Sequence, residues 1–259
     1  MAIGFRAAGT VQAVSQPATI TPTAPAGTVS TDVVITIVAV SDVAAVTITP
    51  PSGWTLVTGS STVYGSGAVQ GRIAAYWALG SATFGAYTIN NSDGVGVAFC
   101  LGYTGVDNTT PIDVDAAGQS NASSTTGTAP SITTVNDNCW FICAFGFCSN
   151  STFTDGSGIT HRASGGATAA VNGSGDGADS NSVLTPAGAT GTHTTTATVA
   201  AVNGGITVAL RLDGAGAGNP EKELASAFEA EGVYGPVHVV GTAFLGEVEE
   251  DMLVMARKD

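Results

Sequence analysis

The chain has 259 residues, only 10% of them charged, and its 20 acidic against 7 basic side chains give a formal net charge of −13. The basic residues (Arg6, Arg72, Arg162, Arg211, Lys222, Arg257 and Lys258) are scattered, so no cationic stripe exists to displace counterions from a phosphate backbone, and nucleic acid is excluded as a partner. Gly, Ala, Thr, Ser, Val and Asn dominate, and no apolar run approaches the ~20 residues of a spanning helix, so short strands joined by many turns are expected, without membrane insertion.

The N-terminal stretch "MAIGFRAAGTVQAVSQPATITPTAPAG" has one arginine and no continuous apolar run behind it, so it does not read as a cleaved secretory signal. The first strong strand follows in "DVVITIVAV" (32–40). It is closed by "TITPPSGWTLV" (47–57), where two prolines and a glycine set a rigid turn before Trp54. "AAYWALGSA" (74–82) and "GVGVAFCLGYTG" (94–105) read as further strands, the second apolar on both faces like a central core strand. "GQSNASSTTGTAPS" (118–131) and "GSGDGADSNS" (173–182) read as polar surface loops. "CWFICAFGF" (139–147), a Thr-rich run near 191–199 and "GITVALRLDG" (205–214) complete the strands.

The strands fall into two similar units. At an offset of 105, residues 32–55 align with 137–160, with identical pairs at Asp32/Asp137, Ile37/Ile142, Ala39/Ala144, Thr49/Thr154, Ser52/Ser157, Gly53/Gly158 and Thr55/Thr160. Further on the offset becomes 111, bringing Gly94–Phe99 onto Gly205–Leu210. The expected fold is all-β: one β-sandwich, jelly-roll-like, over residues 1–213, its two halves being pseudo-repeats at about 32–102 and 137–213.

A compositional boundary closes this body. All seven glutamates and both lysines lie after residue 220, beyond the Gly-rich linker 214–220. The segment 221–259 is expected to be a short α+β extension for docking or oligomerisation, with a helix in "PEKELASAFEAEG" (220–232) and a strand over 237–245.

Four cysteines, Cys100, Cys139, Cys143 and Cys148, allow one bridge from Cys100 to any of the other three, or four buried free thiols, the blander arrangement. On a strand Cys139 and Cys143 stand about 13 Å apart, too far for a disulfide. "GQSN" (118–121) resembles the nucleophile block of a group of carbohydrate esterases, but the Asp-x-x-His that should follow Ser120 is missing around His161, His193 and His238. Neither catalytic residues nor a cofactor are expected. The carboxylate pairs Asp113/Asp115 and Asp176/Asp179 are hard ligands of the type calcium takes, yet neither fits an EF-hand, and solvated turn aspartates with no metal are the expectation. Trp77, Tyr76 and Trp140 sit in strand contexts and read as core. Trp54, at a turn, is the candidate glycan contact.

Taken in order, "IGFRAAGT", "ITPPSGWTLV", "AAYWALGSA", "GYTGVDNTTPIDV", "SNASSTTGTAPSITT", "GATGT" and "VALRL" resemble a loosely defined family of tailed-bacteriophage and prophage virion proteins, over roughly residues 1–213. The resemblance implies a non-enzymatic β module on the particle surface, as a capsid decoration, fibre or minor tail protein. Such a protein is made in the host cytoplasm and released by lysis. Its implied partners are other virion proteins and copies of itself, the alternative being an adhesion module that binds host-surface glycans.

Overall fold

The computed structural model describes residues 2–90 and 93–214, all within the unit Met1–Gly216. The helix and strand expected after residue 220 lie outside the described residues, which contain strands and turns and no helix. The first half of the chain forms β1 (Gly4–Ala8), β2 (Gln12–Ser15), β3 (Thr19–Ile20), β4 (Val33–Asp42), β5 (Ile48–Thr49), β6 (Thr55–Leu56), β7 (Thr62–Ser66), β8 (Val69–Leu79), β9 (Tyr87–Ile89) and β10 (Val95–Thr104). The second half forms β11 (Ala117–Ala129), β12 (Trp140–Phe147), β13 (Phe153–Asp155), β14 (Ile159–Ala167), β15 (Gly173–Ser180) and β16 (His193–Leu210).

Three antiparallel sheets result. One runs β1-β10-β4-β8-β6 with β2 and β7 alongside, the second β11-β16-β12-β15-β14 with β13 alongside, and a small third sheet is β3-β9-β5. The two large sheets face each other as a β-sandwich, and they share one strand order when β1, β4, β6, β8 and β10 are matched with β11, β12, β14, β15 and β16. Each sheet is thus built from one contiguous half of the chain. The matching halves begin earlier than the repeat seen in sequence, because each starts with an edge strand, β1 or β11, that carries no distinctive apolar pattern.

The register refines the alignment. Ile37 pairs with Phe99 and its counterpart Ile142 pairs with Val208, so Phe99 corresponds to Val208, two residues short of Leu210. An even shift keeps every side chain on its face, which is why both alignments look plausible in sequence.

Strand β4 is buried at all ten positions because both its faces are covered. Val33, Ile35, Ile37 and Ala39 point into the inter-sheet core with Phe99, Leu101, Ile142, Ile206 and Val208. Val34, Val38 and Val40 point the other way, against Trp54, Tyr87 and Ile89 under the small third sheet. On the far face of the second sheet, Phe141, Cys143, Phe145 and Phe147 pack with Phe153, Ile159 and Ala178.

Two stretches expected to be surface loops are strands. Residues 173–180 form β15, buried at every position. Its glycines are there because the facing sheet is too close for anything larger: a Cβ on Gly177 would lie 2.5 Å from the Phe99 ring, and one on Gly173 2.6 Å from Ser41 Oγ. Residues 117–129 form β11, an outer strand held by its backbone ladder to β16, so its Ser, Asn and Thr side chains need no apolar pattern.

All four cysteines are free, three of them buried and Cys148 partly so. Burial pushes each thiol up to about 12. Cys100 is close to Thr36, with Sγ 3.1 Å from Oγ1.

Candidate functional site

The β14–β15 hairpin carries the densest set of titratable side chains among the described residues. Strand alternation sends Asp176 and Asp179 to opposite faces of β15 and separates His161 from Arg162 on β14, while a bulge between His161 and Ala163 brings Ser164 round to the His161 face, opposite Asp176. Arg162 turns inward and His161 turns outward.

On the inner face Arg162 Nε donates to Asp179 Oδ1 at 2.7 Å, while its guanidinium lies 4.0 Å over the Phe5 ring. Tyr103 Oη donates to the other oxygen of Asp179 at 3.0 Å. This arrangement is closed: charge, partner and aromatic lid are all present.

On the outer face Asp176 meets His161 and Asp155. Asp155 ends β13, which is hung on the long strand β16 through Phe153↔Ala197 and Asp155↔Thr195, and the turn from there to β14 passes through Gly158 at φ +85°. His161 Nδ1 lies 3.0 Å from Asp155 Oδ2 and 3.2 Å from Asp176 Oδ1, and only the first contact is aligned as a hydrogen bond. On the other side of the ring Ser164 Oγ is 3.3 Å from Nε2. The carboxylate side chains are 5% and 0% exposed, whereas the imidazole is 47% exposed. Three buried oxygens, Asp155 Oδ1 and both of Asp176, have no hydrogen-bond partner.

Two buried carboxylates against one imidazole leave a surplus of negative charge. Burial, and then the neighbouring Asp176 carboxylate, push Asp155 up to about 6. Asp176 first, and Asp155 after it, raise His161 to about 9 against its partial burial. The order Asp155–His161–Ser164 has the connectivity of a nucleophilic triad, while the upward shift of His161 favours the imidazolium, which donates at both nitrogens. What the set does offer is one nitrogen and two carboxylate oxygens converging at the surface, with ligand atoms all within 4.8 Å of one another.

The residues singled out in sequence lie elsewhere, apart from Asp176. Trp54, the candidate glycan contact, is a buried residue, 6% exposed; its ring packs edge-on against Phe84 at 5.4 Å and Tyr87 at 6.2 Å, and donates Nε1–H to Thr83 O at 3.0 Å. The turn chemistry of "PPSG" placed it at a corner, but the small third sheet closes over that corner. Asp113 is consumed by the 130s loop, accepting from Val135 N at 2.8 Å and Asn136 Nδ2 at 2.6 Å, while Asp115 is exposed beside it. Asp176 and Asp179 are fully buried strand residues rather than solvated turn aspartates. Ser120 lies within β11 opposite Gly204. His193 stacks on Phe141 at 4.8 Å with Nε2 2.9 Å from Thr190 O, and His238 is outside the described residues.

Sequence reasoning passed over Asp155 and weighed His161 only as a partner for Ser120. They stand six apart in "DGSGITH", and the only cue was the turn Gly156-Ser157-Gly158 that folds the two ends together. Comparison of the chain with protein-family models, with curated proteins and with solved structures finds no match in any of the three.

Proposed function

We propose that this chain is a non-enzymatic structural protein of a bacteriophage particle, displayed on its surface as a capsid decoration, fibre or minor tail protein. One observation carries the reading beyond the sequence resemblance: the body has no lysine, and each of its four arginines is tied down. Arg6 bonds to Asp32 at 2.8 Å, Arg162 to Asp179 at 2.7 Å, and Arg72 to Val46 O and Ser61 Oγ, each at 2.7 Å. Arg211 bonds to Thr110 Oγ1 at 3.1 Å and lies 3.8 Å from Asp107. A helix-free sandwich whose cations are all held in place offers little to trypsin-like proteases or to nonspecific polyanion binding, which suits a part that persists outside a cell. The acid-rich segment after residue 220 attaches this body to the particle or to further copies of the chain.

Gold labelling of the protein on imaged particles tests the proposal. Label at regular, symmetric positions is expected, and deletion of residues 220–259 abolishes it while soluble body accumulates. Purified particles that carry no copy of the chain overturn the reading.

A further inference from the structure

The outer face of the β14–β15 hairpin holds a charge imbalance that the virion reading does not use. Asp176 is fully buried; its Oδ2 has no partner and its Oδ1 has only the unaligned 3.2 Å contact with His161 Nδ1, while Asp155 Oδ1 beside it is buried and has no hydrogen-bond partner. Leaving such oxygens without a donor or a cation is costly, and native interiors seldom do so. His161 reaches toward both carboxylates with Nδ1, at 3.0 and 3.2 Å, and keeps Nε2 for Ser164 at 3.3 Å.

We propose that Asp155, His161 and Asp176 bind one divalent transition ion of the zinc class. The two imidazole–carboxylate separations, 3.0 and 3.2 Å, and the confinement of all three ligand atoms within 4.8 Å bring them close enough for small side-chain adjustments to place each at a bond of about 2.0–2.2 Å from one ion. Imidazole nitrogen with two carboxylates selects a borderline ion over Ca²⁺, which seeks six to eight oxygens. Ser164 plays the outer role, accepting from Nε2–H and so directing the Nδ1 lone pair at the ion. Binding displaces the Nδ1 proton to solvent, and the ion takes up the negative surplus of the two carboxylates. Because Asp155 belongs to β13 and the other two ligands to the hairpin, the ion ties β13 to the β14–β15 hairpin. The half-exposed His161 leaves the remaining coordination positions facing water.

Calorimetric titration of the full chain with zinc chloride is the test, with magnesium and calcium chloride as parallel probes. One equivalent of Zn²⁺ is expected to bind and to raise the Tm by several degrees, with neither Mg²⁺ nor Ca²⁺ doing so. His161→Ala weakens zinc binding by more than the roughly 10–100-fold that loss of an outer partner costs, and His161→Gln, which keeps a hydrogen-bond donor against the two buried carboxylates, does the same. In NMR the ring signals of His161, rather than those of His193 or His238, shift on zinc addition. Zinc binding of unchanged affinity in His161→Ala, a shift at another histidine alone, or absence of binding overturns the site.

Discussion

Tyr103 on β10 and Asp179 on β15 are joined by a 3.0 Å hydrogen bond that crosses from one sheet of the sandwich to the other. Both residues are fully buried, and Asp179 is balanced by Arg162 on the neighbouring strand. Tyr103 also meets Phe5 edge-on at 5.7 Å, so one cluster ties β1, β10, β14 and β15 together. Removing the hydroxyl with Tyr103→Phe leaves one carboxylate oxygen without its donor and is expected to cost about 1–3 kcal/mol, whereas Arg162→Ala strands the buried charge and costs about 3–5 kcal/mol. Urea midpoints of the two variants and their double mutant check this. A Tyr103→Phe protein as stable as the parent refutes the inter-sheet role.

Gly177→Ala tests the close approach of the sheets. The added methyl meets the Phe99 ring at 2.5 and 2.8 Å, and Phe99 is fully buried with nowhere to swing. Overpacking of this kind costs about 1–3 kcal/mol. Gly67→Ala, at a turn with open space but φ +66°, is the control for backbone strain alone. If Gly177→Ala costs no more than that control, the packing argument is wrong.

Trp54→Ala removes a core side chain rather than a ligand contact. The expected loss is about 3–5 kcal/mol of stability, and the Trp54 indole should be shielded from acrylamide in the parent. Strong quenching of that residue, read from the difference between parent and Trp54→Phe fluorescence, would place it at the surface instead.

The thiols should be silent. With Cys100, Cys139, Cys143 and Cys148 free and pushed up to about 12 by burial, almost no thiolate exists at neutral pH. A thiol-reactive dye is expected to label none of them in the folded protein and all four in denaturant without reductant. Recovery of fewer than four thiols after denaturation would reveal a disulfide.

Acid sensitivity has one identifiable source in the turn after β10. Backbone N–H of Thr110, and with it Thr109 N–H and the Thr110 hydroxyl, bond to Asp107 and hold its carboxyl below the usual range. Because the folded value is the lower one, this contribution is present above the unfolded-state value of about 3.9 and is lost as pH falls through the folded value. Asp107→Asn should therefore narrow the stability difference between about pH 6 and about pH 3. An unchanged difference rules the turn out as a source.

Much of the architecture can be read directly from residue order. The buried strands β4, β10 and β12 are legible because burial on both faces demands continuous Val, Ile, Phe and Ala. The likeness of the two halves is legible at Ile37 and Ile142, which stand at matched places in β4 and β12, strands that hold the same position in the two large sheets. Edge strands are harder. In β11 the ladder to β16 is made by backbone groups that every residue possesses, so Ser, Asn and Thr there look the same as in a loop.

What sequence order could not reveal depends on distance across the sandwich. "GSGDGADS" reads as a turn by composition, yet Phe99 and Val97 of the opposite sheet stand so near that glycine is required and a strand is formed. The fate of Trp54 turned on a third sheet made from three fragments of two or three residues, each too short to carry a period. The outer cluster needed two events with no local signature: a bulge that brings Ser164 onto the face of His161, and the pairing of β13 with β16 that brings Asp155 over. Residue types and their periodicity, set by local burial, decide which segments become core strands. Which carboxylates meet which cations is decided only when the sheets pack, because side-chain facing changes with a single residue of register.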